Sequence, residues 1–527
     1  MRHWGSSDAT SRTRSVRDGG VGCDLREGAS AASRTDRPSI ARDQLRLHRE
    51  DQLDALIAQQ TNPISPLYAH FLTPAQVRDR FAPTAAEYAA ALTTLRNDGF
   101  SIDRTYGSRA LADVSAAPAA VEQTFGVLLT AARSAGKVRY VANHRPIIGA
   151  SLPAVAAVAG VEPDTAQPAA TRGTIGATAA PSGGGPVGPD DGFTPSAFAQ
   201  AYDYPLLHGF NGSGTRIADI VDGSSDKGLA TFLRYYQIAP AFPQPNVIPI
   251  NGGGGQDVYQ PDIDTEWLYA TAPGAHIDEY DLPDLSNVNI VDAVASIASS
   301  NAADVVNISF AACETDETLF YSVEPLIKQS AAEGISIESV AFGGVSYCGP
   351  PGAITTQIPA DSSAGLAVGG ENVIAAQSGA STAASGFVAT GGGVSLLVPV
   401  PPGQKPIRGV DPRGRNVPDL VLGASINGTG PSYNVYGLWL GGSPFVVNAA
   451  AGGLLAEYKQ MTGHRLGAFN ATIDALFAQT GYGSVFGDVT TGCNGVVSGK
   501  AVCAKPGYDI TSGIGSVDAF GLGKLLP

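Results

Sequence analysis

Charge is scarce in this chain. Asp, Glu, Lys and Arg make up 15% of its 527 residues, against about 25% in ordinary soluble domains. What charge there is leans acidic, with 48 acids against 33 bases and a formal charge of −15. An acidic balance argues against nucleic acid as a partner, because phosphate binding needs a basic patch or stripe. No run of 18 or more apolar residues occurs, so no membrane-spanning helix is expected. Gly and Pro are plentiful instead, at 65 and 36 residues, and 43% of the chain is hydrophobic. That is enough apolar material for a large core, so wholesale disorder is excluded.

Composition divides the chain. Residues 1–50 hold ten Arg and seven acids, lack apolar periodicity, and read as a disordered basic head. Behind the positive start there is no apolar core of the kind a secretory signal needs. Either the protein is not exported by that route, or the natural start lies elsewhere. Residues 51–163 mix helices with short strands. Gln52 to Gln60 is helical, Thr73-Pro74 supplies an N-cap and a first-turn proline, and Ala85 to Leu95 and Ala117 to Phe125 are helical. Phe100 to Asp103, Leu111 to Val114 and Val138 to Val141 read as strands, which together suggest a small α+β domain. Residues 164–191, rich in Ala, Thr, Gly, Ser and Pro, read as a flexible, protease-accessible linker. From residue 192 to 527 strands alternate with helices. Arg216 to Val221, Val305 to Phe310 and Ile335 to Ala341 are strands; Asp264 to Ala272, Ile290 to Ser299, Glu317 to Ala332 and Phe445 to Met461 are helices. This alternation implies an α/β fold with a mostly parallel sheet and helices on both faces. Small domain, linker and large domain together suggest a proprotein.

Several segments carry a family resemblance. Ser65-Pro66-Leu67-Tyr68 with His70, Leu72-Thr73-Pro74 and Phe81 resembles the activation prodomain of kumamolisin-type sedolisins, the serine-carboxyl peptidases. Ile263-Asp264-Thr265-Glu266-Trp267 followed by Ala272-Pro273-Gly274-Ala275 is similar to their catalytic helix. Gly391-Gly392-Gly393-Val394-Ser395, Gly414-Arg415-Asn416-Val417-Pro418-Asp419 and Gly441-Gly442 also match. Gly507-Tyr508-Asp509 with Thr511, Gly513 and Gly515 resembles the C-terminal calcium loop. The resemblance spans about residues 51–527. It implies a subtilisin-like large domain preceded by a ferredoxin-like prodomain. A Ser-His-Asp triad is not expected, because none of the seven His residues stands in a His-Gly-Thr-His setting; Asp222 reads as a strand-end or turn residue.

The resemblance also implies where the chemistry should be. In the family a Glu serves as general base for Ser, and an Asp one helical turn later orients it; a four-residue spacing puts both on one face. Asp264 falls on the Asp position, but Gln260 stands where the Glu should be, and a neutral amide cannot take the proton. Pro261 suggests that Gln260 sits at the helix cap. The nucleophile pattern Gly-Thr-Ser-Ala-x-Ala-Pro aligns with Gly442-Ser443-Pro444-Phe445-Val446-Val447-Asn448, so Pro444 replaces the Ser. Ser443 lies one position early, where a Ser before Pro reads as an N-cap. The oxyanion-stabilising Asp aligns with Gly343, which keeps an N–H donor but has no carboxyl group. Asp262 and Glu266 form a second four-residue pair, about 200° round the helix from the first at 100° per residue, and read as solvated acids near a helix N-terminus.

The calcium loop looks complete. By resemblance the ligands of one Ca2+ are Asp488 and Asp509 with the carbonyls of Val489, Lys505 and Gly507, an oxygen-rich set suited to a hard cation. Of five cysteines, Cys313 and Cys348 follow strands expected to be neighbours, which suits a disulfide, and Cys493 and Cys503 bracket the calcium loop and would clip it. Paired cysteines imply an oxidising compartment, hence an extracellular location with no signal segment in view; free buried thiols are the alternative. Three functional readings follow. The first is a calcium-binding pseudopeptidase. The second is an active acid serine endopeptidase with Ser443 as displaced nucleophile and Asp264 or Glu266 as base. The third is a peptide-binding scaffold using the retained cleft. The expected partners are a peptide or protein ligand and the chain's own prodomain, in a monomer.

Overall fold

The computed structural model describes residues 39–527 apart from 135–136, 164–176, 180–193, 226–227, 256–258, 346–347, 349–353, 376–380, 427–432, 436–437 and 441. The N-terminal unit is an antiparallel sheet of β1 (Ser39–Leu45), β2 (Ser101–Thr105), β3 (Leu111–Ala116) and β4 (Val155–Ala159), in the order β2-β3-β1-β4. It carries α1 (Glu50–Gln60), α2 (Pro74–Phe81), α3 (Ala85–Asn97) and α4 (Pro118–Phe125). Two of the helices start at capping boxes, Thr73 with Gln76 and Thr84 with Glu87; each box satisfies two otherwise orphaned N–H groups. Leu92, Leu95, Phe100, Val121, Phe125 and Val158 form its core.

β1 corrects the expected boundary of the head. It lies within residues 1–50 yet pairs on both edges, with β3 and β4. Ala41 and Leu45 join the core on one face, while Arg42 and Gln44 are buried on the other. A strand that buries charged and amide groups on one face shows no apolar alternation, so hydropathy hides it. Residues 1–38 of the expected head and most of the expected linker lie outside the described residues. Within the linker, Ala177–Ala179 pair antiparallel with Leu438–Leu440.

The large domain is built on eight strands: β5 (Arg216–Val221), β6 (Asn246–Pro249), β7 (His276–Asp281), β8 (Val305–Ile308), β9 (Ser336–Val340), β10 (Leu366–Ala375), β11 (Ser381–Gly386) and β12 (Leu420–Ile426). The order is β11-β10-β9-β8-β5-β7-β6, with β12 beside β10. All pairs are parallel except β11 with β10. Alternate residues serve opposite faces. Ile217, Ile277, Val305 and Val340 pack with α5 (Gln260–Thr271) and a later helix, Pro444–Thr462. Ala218, Ile220, Val306 and Ile337 pack with α6 (Asn287–Ser300) and α7 (Glu317–Ala332). We call Pro444–Thr462 α8. This is the α/β sheet with helices on both faces that the alternation implied.

The N-terminal unit sits on α6 and α7, opposite the α5/α8 face. Leu53, Ile57, Val77 and Phe81 share a core with those two helices. Arg42 bridges Asp113 of its own unit, at 3.1 Å, and Asp292 of α6, at 2.5 Å. Tyr106 donates to one of the two carboxylates, lying 3.2 Å from Asp113 and 3.3 Å from Asp292. Disulfides join Cys313 to Cys348 and Cys493 to Cys503, as expected.

Candidate active site

Gln260 is the first residue of α5, with Pro261 in its first turn. One turn on, Asp264 shares its face, and the Gln260 amide Nε2 stands 2.9 Å from both Asp264 oxygens. A primary amide presenting its N–H groups to a carboxylate is a donor there, not a base. Asp264 Oδ1 also accepts from Ser309 Oγ at 2.7 Å, just beyond β8. Asn448 of α8 donates to Asn307 Oδ1 at 2.9 Å and to the Ile308 carbonyl at 3.2 Å, and Asn307 donates to Asp219 at 2.7 Å. Asp264 is thus tied to the floor of the sheet.

The other expected positions have structural uses. Ser443 is the N-cap of α8, accepting the Val446 N–H at 3.3 Å, with Pro444 in the first turn. Among the described residues no hydrogen bond joins its hydroxyl to a carboxylate. The N–H of Gly343, expected to be free to donate, is taken by the Ala389 carbonyl at 2.8 Å; its φ of 84° suits glycine. Phe342, just before Gly343, packs on Phe445, just after Pro444, with ring centroids 5.0 Å apart and both residues 4% exposed. Two aromatic rings therefore pack together beside Gly343 and Pro444. Asp262 and Glu266, expected to be solvated, are instead buried, because α5 is covered on every side by α8, the sheet and the helix Leu229–Tyr236. Asp222 follows β5 in a bend, as expected.

What sequence reasoning missed lies one layer below. Asp219 and Glu338 are buried beneath α5, and burial, with Asp264 as the next cause, pushes both well above the usual carboxylate range. The available signal was one acidic residue in each of two short buried strands.

At the C-terminal loops the structure brings the predicted calcium residues together. Asp488 accepts the Gly507 N–H at 2.9 Å, and Asp509 Oδ2 accepts the Lys505 N–H at 2.8 Å. Asp509 Oδ1 takes three donors, the N–H groups of Thr511 and Ser512 and the Ser512 hydroxyl. Val489 is buried against Val421 and Ala504.

Residues 40–163 match the family model described as "Pro-kumamolisin, activation domain", which is the unit built on β1. Over 514 residues the chain is 27% identical to sedolisin of Pseudomonas sp. (strain 101), covering 90% of this chain and 84% of the relative. The chain is thus a homologue of the sedolisin-type serine peptidases. It is also 25% identical to xanthomonalisin of Xanthomonas sp. (strain T-22), covering 94% of this chain and 66% of that relative. Pseudomonas sedolisin, a serine-carboxyl proteinase solved with two molecules of pseudo-iodotyrostatin, superposes with a TM-score of 0.56 at 25% identity, over 64% of this chain and 98% of its own. Likeness to sedolisins thus accounts for the sheet and the activation domain. Among the described residues no helix is long and apolar enough to cross a membrane.

Proposed function

We propose that this sedolisin homologue has lost peptidase chemistry while keeping the family's frame, and that it binds calcium. The observation that carries the reading is the donation by Gln260 to Asp264, at the place where the family's general base should accept a proton. Pro444 adds the absence of a hydroxyl, and Gly343 the absence of a carboxyl group. Removing the nucleophile of a serine protease costs roughly 10⁶ in rate, and losing one oxyanion donor roughly 10²–10³. No single compensation restores such losses.

An active enzyme using Ser443 is disfavoured by the use of that hydroxyl as a helix cap. A peptide-binding scaffold is disfavoured by the Phe342–Phe445 contact, which occupies the space between the substituted positions. For calcium the donor set fits: Asp488, Asp509 and the carbonyls of Val489, Lys505 and Gly507 are hard oxygens gathered on neighbouring turns. Asp509 Oδ1 takes three donors, whereas Oδ2 accepts only the Lys505 N–H and keeps a lone pair for a cation. The ion would supply charge that holds these loops together. Two disulfides fit an extracellular setting.

The test is casein zymography at acid pH, on the wild type and on Gln260→Glu/Gly343→Asp/Pro444→Ser. Clearing only by the triple variant is expected. Clearing by the wild type that Ser443→Ala abolishes would overturn the proposal.

A further inference from the structure

Four adjacent strands place one polar side chain each in the same register. Glu279 of β7 pairs with Asp219 of β5, Asp219 with Asn307 of β8, and Asn307 with Glu338 of β9. In-register neighbours of a parallel sheet point to the same face, and these point to the α5/α8 face. All four are fully buried. From above, α5 contributes Asp264, whose charge acts on both Asp219 and Glu338, and Thr265, which donates to Glu279 at 2.6 Å. The Ser225 hydroxyl also donates to Glu279, while Tyr269 and Asp281 lie within electrostatic reach of it. α8 contributes Asn448 and, at Gly452, the room that Glu338 occupies: a Cβ there would stand 2.5 Å from Glu338 Oε1.

The row holds three carboxylates, with a fourth, Asp264, above it. Among the described residues no salt bridge reaches Asp219, Glu279 or Glu338, and neither oxygen of Glu338 has a hydrogen-bond partner. Isolated buried carboxylates do not stay ionised; they take up protons. We propose that this row is a proton-binding seam that holds α5 and α8 against the sheet in acid and loosens them as the medium turns alkaline. The seam is independent of the family's catalytic positions, Asp264 aside, so the proposal stands whether or not peptidase activity survives. A proton on Glu338 removes its repulsion with Asp219 and Asp264; loss of that proton leaves like charges beneath both helices.

The sign follows from linkage. These groups bind protons more tightly in the folded chain, so their contribution is full below the unfolded carboxylate range, around pH 4, and is lost as pH rises through their folded values. The experiment is urea unfolding of the full chain between about pH 5 and about pH 9, for wild type, Glu338→Gln and Asp219→Asn. The wild-type midpoint should fall with pH, and each amide variant should lose at most half as much over the same range. A wild-type midpoint that rises with pH, or variants that track the wild type, would overturn the seam. Should the variants fail to fold, infrared spectroscopy of the wild type near pH 7 decides. A carbonyl band of protonated carboxylic acid that disappears on alkaline titration is expected, and its absence near neutrality refutes the proposal.

Discussion

The side-chain nitrogen of Gln260 sits 2.9 Å from each oxygen of Asp264, so the two residues are held as donor and acceptor rather than as two acids sharing a proton. Gln260→Glu would replace that donor with a like charge. We expect the variant to lose about 1 kcal/mol near neutral pH, the equivalent of a shift of about one pKa unit. The loss should shrink in acid, where one of the pair takes up a proton. Urea unfolding at the two pH values measures it. Casein hydrolysis should stay at background, because position 444 still offers no hydroxyl.

Ser443 is predicted to behave as a cap and nothing more. Ser443→Ala should cost about 1 kcal/mol of stability, and Ser443→Asp, which keeps a cap acceptor beside the N–H of Val446, should recover most of it. Thermal unfolding checks both. A proteolytic phenotype in either variant would contradict the assignment.

Calcium should raise the unfolding midpoint and chelation should lower it, by about 2.7 kcal/mol at a free calcium concentration 100-fold above Kd. Asp488→Asn should reduce this calcium response with little effect on the apo protein. Asp509→Asn should destabilise in both conditions, since its carboxylate also holds the N–H groups of Lys505, Thr511 and Ser512. Calorimetry with and without chelator separates the two behaviours.

The contact between the activation domain and the large domain should tighten in acid. Burial, followed by the nearby Asp292, pushes Asp113 up to about 7 despite Arg42. Burial and then Asp316 push Glu162 up to about 7 where it meets Asn287. Both values are raised above the ordinary carboxylate range, so their contribution is present below it and is lost as pH climbs through about 7. Hydrogen exchange in β1 and α6, corrected for intrinsic rates, should therefore be slower at about pH 5 than at about pH 8. Arg42→Ala leaves Asp113 and Asp292 without their shared cation and should cost roughly 3–5 kcal/mol.

Punctuated elements were the readable part of this fold. Thr73-Pro74 marked a helix start, the helix Glu317–Ala332 and the strand Arg216–Val221 were found at their expected bounds, and the cysteines paired as expected, Cys313 with Cys348 from their neighbouring strands and Cys493 with Cys503 from their place around one loop. β1 was not readable, because Arg42 and Gln44 face another domain and Asp43 is buried, leaving no apolar stripe. The expected catalytic positions 260, 343 and 444 were assigned from motif register alone, and the structure added what lies beside two of them, the Phe342 and Phe445 rings. The polar row was hidden for a different reason. One Asp or Glu in a strand means little alone, and only the pairing register reveals that Glu279, Asp219, Asn307 and Glu338 are neighbours.

A side chain on Gly453 would place its Cβ 2.8 Å from Thr271 Cβ, so the close crossing of α5 and α8 depends on a position that holds no functional group. The spacing between residues 260, 264 and 444 is therefore set by packing, whatever side chains those positions carry. Under the proposed loss of peptidase chemistry, side chains could change without disturbing the frame. By the same logic, laboratory evolution starting from this chain would need to change side chains and clear two phenylalanines, with no need to rebuild the backbone.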